Sequence, residues 1–116
     1  MNIVKTILLS FGIMVPGLAL AHAHLEASVP AANSTVPVMP PEITLHFSEA
    51  IRVTALSIER DGAKEMQDIK APAETKAVLK VSAPKLAAGS YVLKWRGLGD
   101  DGHIMSGTVR FAVSGK

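Results

Sequence analysis

From Leu25 onward, apolar and polar residues alternate with a period of two, in short runs separated by turn-forming residues. Leu25, Ala27 and Val29 alternate with Glu26 and Ser28, which predicts a first strand ending at Pro30. The stretch from Ala31 to Pro41 is rich in Pro, Ser and Asn and reads as a loop. Ile43, Leu45 and Phe47 then alternate with Thr44, His46 and Ser48 as a half-buried strand, and Val53 to Ile58 is β-branched and apolar enough for another. Asp61-Gly62 is a hairpin signal between that strand and a weaker one near Glu65 to Ile69. Ala77 to Val81 follows, and Ala87-Ala88-Gly89-Ser90 makes a turn. Tyr91, Leu93 and Trp95 face one way, Lys94 and Arg96 the other. A last strand sets Val109, Phe111 and Val113 against Thr108, Arg110 and Ala112. Roughly seven strands at intervals of about 8–12 residues predict an all-β fold, a single Greek-key β-sandwich or barrel of Ig-like type. No window beyond the first segment carries an amphipathic helix pattern, and no internal repeat is present.

The first 21 residues follow a different rule. Lys5 supplies a positive start, and an apolar stretch runs from Ile7-Leu8-Leu9 through Phe11, Ile13, Met14 and Val15. Pro16-Gly17 interrupts it, and Ala19-Leu20-Ala21 has the small-x-small form of a signal-peptidase site. The run is too short and too broken for a membrane span. Residues 1–21 are therefore expected to be a cleaved signal peptide, and residues 22–116 one exported domain of 95 residues. Ala21-His22-Ala23 has the same small-x-small form and would put the cut before His24. The first site is favoured because its middle residue is apolar and continues the leader. Either cut leaves a histidine at the new N-terminus.

Charge and cysteine content narrow the chemistry. The net charge of +2 falls to near +1 once Lys5 is gone, and no basic block interleaved with aromatics appears. Nucleic acid is thus excluded as a natural partner. Cysteine is absent, so an exported form has no disulfide framework and any bound metal must use imidazole, amine, carboxylate or thioether. The single Trp95 and single Tyr91 share the inward face of one strand and read as core. Met39 and Met66 read as loop or edge residues, whereas Met105 lies close to a candidate site.

That site is drawn from His22, Asp101 and His103. An N-terminal histidine offers its α-amine and Nδ1 to one ion as a six-membered chelate. Asp101-Gly102-His103 adds a carboxylate and an imidazole across a short turn. Amine, two imidazoles and a carboxylate form a tetragonal N/O set, which suits Cu(II), at the top of the Irving–Williams order. Zn(II) is the main competitor, since it accepts imidazole and carboxylate in a tetrahedron. The reading requires the processed N-terminus and the 101–103 turn to meet in space.

His22-Ala23-His24-Leu25 with Ser28-x-Pro30, Leu45-His46-Phe47-Ser48-Glu49, Ala88-Gly89-x-Tyr91-x-x-x-Trp95-Arg96 and Asp101-Gly102-His103-x-x-x-Gly107-x-x-x-Phe111 together resemble the CopC family of periplasmic copper-resistance proteins. The resemblance covers essentially the whole mature chain. It implies a small Greek-key β-barrel or sandwich that binds Cu(II) and carries or sequesters it outside the cytoplasm. It places the family's N-terminal histidine on His22 and its Asp-x-His pair on Asp101 and His103. It also gives His24 as a further imidazole ligand and Glu49 as an axial or outer group, while His46 alternates outward as a surface residue. Members that also bind Cu(I) carry a methionine-rich loop, whereas only Met66 lies between Asp61 and Lys80 here, which implies a Cu(II)-only protein. An inner-membrane importer of the CopD type is the partner that the family implies.

Two other classes compete with a copper carrier or buffer that is not an enzyme. A copper histidine brace of the kind used by oxidative polysaccharide-cleaving enzymes is opposed by the small surface, the core-bound aromatics and the Asp101 carboxylate in a position that oxygen would need. An exported Ig-like structural domain explains the strands and leader, but not a histidine start paired with Asp-x-His. Sandwich folds host many functions, so the fold does not decide among them.

Overall fold

The computed structural model describes residues 23–62 and 65–116. The proposed leader and His22 lie outside these described residues, and the domain boundary at 21/22 with them. Seven strands and no helix occur among the described residues: β1 Leu25–Val29, β2 Ser34–Val36, β3 Glu42–Arg60, β4 Met66–Asp68, β5 Lys76–Ser82, β6 Gly89–Gly99 and β7 Ile104–Val113. They hydrogen-bond in the order β1-β3-β6-β7-β2, with β4 and β5 also on β3. The all-β Greek-key expectation is met as one sheet curled on itself.

The long strand β3 is what curls it. Sequence patterning predicts two strands here, at 43–48 and 53–58, and the chain joins them through Ser48-Glu49-Ala50 without a turn. Opposite β5, His46 pairs with Val78 and the next pair is Ile51 with Lys76. Four residues of β3 thus face one of β5, and the strand arcs around a corner. A second irregularity lies between Val53–Gly97 and Ala55–Arg96, leaving Thr54 as an extra residue. Its Oγ1 donates to the Arg96 carbonyl at 3.3 Å. This bulge explains a change of parity: Ile43, Leu45, Phe47, Ile51 and Val53 are buried before it, Leu56 and Ile58 after it.

Inward side chains of both halves of β3 meet those of β5, β6 and β7 in one core that includes Leu79, Val81, Tyr91, Leu93, Trp95, Val109 and Phe111. Phe47 meets Trp95 edge-on at 4.9 Å between ring centroids, and Tyr91 stacks on Phe111 at 5.7 Å. The inward reading of Tyr91, Leu93 and Trp95 therefore holds, with Lys94 and Arg96 exposed. The Asp61-Gly62 turn also holds: Gly62 has φ +83°, and β3 pairs with β4 through Glu59 and Met66.

Two sequence readings need correction. The 31–41 segment is not all loop, because Ser34–Val36 forms β2, parallel to β7. Met39 in that segment is only 8% exposed and belongs to the core, not to an edge. Met66 is an exposed edge residue as expected, at 60%.

Candidate metal centre

The corner of β3 brings two distant pieces of chain together. β5 occupies one edge of β3 on both sides of the corner, through His46 and Ile51. β1 pairs with β3 at Thr44–Phe47 and β6 pairs with it from Ile51, so both use the opposite edge. The start of β1 and the end of β6 thus hang on one edge, separated by the corner. From Ser48 to Ile51 this is at most about 10 Å of extended chain.

On the β1 side the anchor is Ser48. The His24 backbone N–H donates to Ser48 Oγ at 2.9 Å, and the Ser48 N–H donates to the His24 carbonyl at 2.8 Å. An extra residue in β1 at Glu26, between the Leu25–Phe47 and Ala27–His46 pairs, marks a bulge just beyond this anchor. A bulge of this kind bends the strand locally. The His24 side chain is exposed.

On the β6 side the ladder with β7 closes at Leu98–Ile104, leaving 99–103 as the turn. The Gly99 N–H donates to the His103 carbonyl at 3.0 Å, and the Gly102 N–H donates to the Gly99 carbonyl at 3.0 Å. Gly102 has φ +82°, a left-handed conformation that glycine adopts without strain. The tight turn folds Asp101 back onto His103. Asp101 Oδ1 accepts the His103 backbone N–H at 3.0 Å, and Oδ2 lies 2.8 Å from His103 Nδ1. The 2.8 Å contact between Asp101 Oδ2 and His103 Nδ1 is an ion-pair distance, and it holds the imidazole beside the carboxylate. Their side chains are 39% and 65% exposed, so this edge is open to an incoming ion.

Between the two anchors lies a cleft of about 180 Å³ whose walls include Ala23, Glu49, Asp101 and Met105. Asp100 adds a third carboxylate residue to the lining, which favours a cation. The structure therefore brings Ala23, at the start of the described chain, to the same cleft as Asp101. Glu49 lies there as well, at the β3 corner. His46 is exposed on β3, in agreement with a surface role. His24 is tied to this edge through its backbone, and its imidazole forms no group with Asp101 and His103: among the described residues, no three His, Cys, Asp or Glu side chains are arranged to hold a metal ion. His22, the residue expected to complete such a group, is outside the described residues. Sequence reasoning missed Ser48 and Gly99. Neither is a residue that a metal motif would flag: Ser48 acts through a hydroxyl that anchors the His24 backbone, and Gly99 through the backbone bond that closes the turn.

The CopC domain family matches residues 25–114. Protein YobA of Escherichia coli (strain K12) is 34% identical over 98 residues, covering 80% of this chain and 79% of that protein. Copper resistance protein C of Pseudomonas syringae pv. tomato is 32% identical over 117 residues, covering 91% of each. Among solved structures, CopC from Methylosinus trichosporium OB3b superposes with a TM-score of 0.69 at 32% identity, over 80% of this chain and 94% of that one.

Proposed function

Because the chain belongs to the CopC family, we propose that it is a periplasmic copper-binding protein, a carrier or buffer of Cu(II) in copper resistance or homeostasis, and not an enzyme. The ion is its cargo. The observation that carries this reading is the shared cleft: Ala23, one residue from His22, lines the same space as Asp101. A chain processed after Ala21 would then begin beside the Asp101–His103 pair. The His22 amine and imidazole, the His103 imidazole and the Asp101 carboxylate would supply three nitrogens and one oxygen, a set matched to Cu(II). His24 is a further imidazole on the same edge, and Glu49 is an axial or outer carboxylate.

Oxidation state follows from donor softness. Between Asp61 and Lys80 the only methionine is Met66, exposed on the edge strand β4, so no thioether cluster is available there to select Cu(I). Delivery is assigned to an inner-membrane importer of the CopD type. The enzyme and structural-domain readings gain no specific support from the fold.

The test combines N-terminal mass analysis of the exported protein with Cu(II) titration followed by electron paramagnetic resonance. A mature chain starting at His22, one equivalent of Cu(II) and a three-nitrogen signal are expected. Adding one residue ahead of His22 is expected to remove the amine nitrogen and weaken binding. A mature protein that takes up no Cu(II), or binding indifferent to both the added residue and His103→Ala, would refute the proposal.

A further inference from the structure

Three glycines line the β6–β7 hairpin on its inner side, and they are not equivalent. At Gly97 a Cβ would stand 2.8 Å from Ile51 Cδ1 and 3.1 Å from the Arg52 carbonyl oxygen. At Gly107 it would stand 2.8 to 2.9 Å from three atoms of the Trp95 indole. Both are packing positions against core side chains or backbone. Gly99 faces something else: its Cβ would lie 2.9 Å from Met105 Cε and 3.2 Å from Asp101 Oδ1. The thioether methyl and the carboxylate thus converge on the one point that a side chain at 99 would fill. The Gly99 backbone is not left-handed, so glycine is needed here for space and not for torsion.

We infer that Gly99 is a positioning residue of the copper site: its missing side chain is the seat that lets Met105 and Asp101 share the cleft wall, and so sets where the carboxylate stands. The inference rests on the copper reading for its ligand, and on the Gly99 geometry for its mechanism. Three bonds hang on that carboxylate's place or on Gly99 itself. Asp101 Oδ1 accepts the His103 N–H, Oδ2 lies against His103 Nδ1, and the Gly99 N–H closes the turn on the His103 carbonyl. A methyl at 99 displaces Met105 Cε with little strain, since that atom is the free end of a flexible chain. Asp101 Oδ1 must then give by a few tenths of an ångström, which lengthens its bond to His103. The fold survives and the pair loosens.

The mature protein is compared as wild type, Gly99→Ala and the double variant Gly99→Ala with Met105→Ala, which removes the contact with the thioether and keeps the one with Asp101 Oδ1. Three quantities are measured: thermal unfolding, amide hydrogen exchange of His103 in the copper-free protein, and Cu(II) affinity by competition. Gly99→Ala is expected to fold, to exchange the His103 N–H faster, and to lose about tenfold or more in Cu(II) affinity. The double variant is expected to keep both defects, because its methyl still stands against Asp101 Oδ1. Unchanged exchange and affinity in Gly99→Ala would overturn the inference, and so would a failure to fold, which would make Gly99 a core glycine like Gly107. Full recovery in the double variant would overturn the inference by placing the whole effect on Met105. Should the wild type take up no Cu(II), the copper reading fails, and the exchange comparison alone still decides the role of Gly99.

Discussion

Gly107 lies flat against the indole of Trp95, directly across the β6–β7 ladder, and a Cβ on it would come within 2.8 Å of Trp95 Nε1. Trp95 is buried, meets the Phe47 ring edge-on, and its Nε1 has no hydrogen-bond partner among the described residues. Against Gly107 the indole leaves no room for a Cβ. Gly107→Ala is expected to destabilise the fold by about 1–3 kcal/mol through overpacking. Urea denaturation would show this as a lower midpoint at unchanged slope.

The opposite end of β6 is held by a tyrosine corner. Tyr91 OH donates to the Ala87 carbonyl at 2.6 Å, and the Arg60 guanidinium donates to the Ala88 carbonyl at 3.0 Å while lying 5.9 Å from the Tyr91 ring centroid. Tyr91→Phe keeps the ring in the core and removes one hydrogen bond. It is expected to cost about 0.5–1.5 kcal/mol. Since this corner is remote in chain position from residues 99–105, Cu(II) affinity should stay unchanged in the same variant.

Ser48→Ala tests the anchor of the first strand. It removes the acceptor of the His24 N–H and keeps the backbone bond in the other direction. Stability is expected to fall by about 1 kcal/mol or less, since the site is exposed. Hydrogen exchange at His24 should rise, and on the proposed copper reading Cu(II) affinity should fall with it, because Ala23 and His24 are then held less firmly on this edge.

Asp101→Asn keeps the shape of the turn and removes its charge. An amide still accepts the His103 N–H through its oxygen, so the hairpin is expected to persist by circular dichroism. Cu(II) affinity is expected to drop by about tenfold or more. Equal affinities for Asn and Asp at 101 would remove the carboxylate from the site.

Much of this was legible along the chain because local chemistry and global fold agree. Asp61-Gly62 marked its hairpin, and the period-two pattern of Tyr91, Leu93 and Trp95 gave the core face of β6. The misreadings share a cause: they depend on partners far away in sequence. Ser34-Thr35-Val36 lacks apolar alternation and becomes a strand only because β7 offers an edge in parallel. Ser48-Glu49-Ala50 looks like a break between strands, and stays extended because β1 and β6 pair on either side of it. The Thr54 bulge hides in the same way, since one extra residue is visible only against the register of β6. For the candidate site, donors announce themselves by residue type, as Asp101 and His103 do. Gly99 and Ser48 do not, because what they contribute is room and a hydroxyl acceptor for a backbone N–H.

One strand, β3, serves as the common rail for both halves of the molecule, so the cleft is shared between segments far apart in the chain. A chain cut before residue 99 keeps Ala23 and Glu49 and loses Asp100, Asp101 and Met105. Under the proposed copper reading, fragments left by proteolysis would own only half of the cleft and would not compete with intact molecules for the ion.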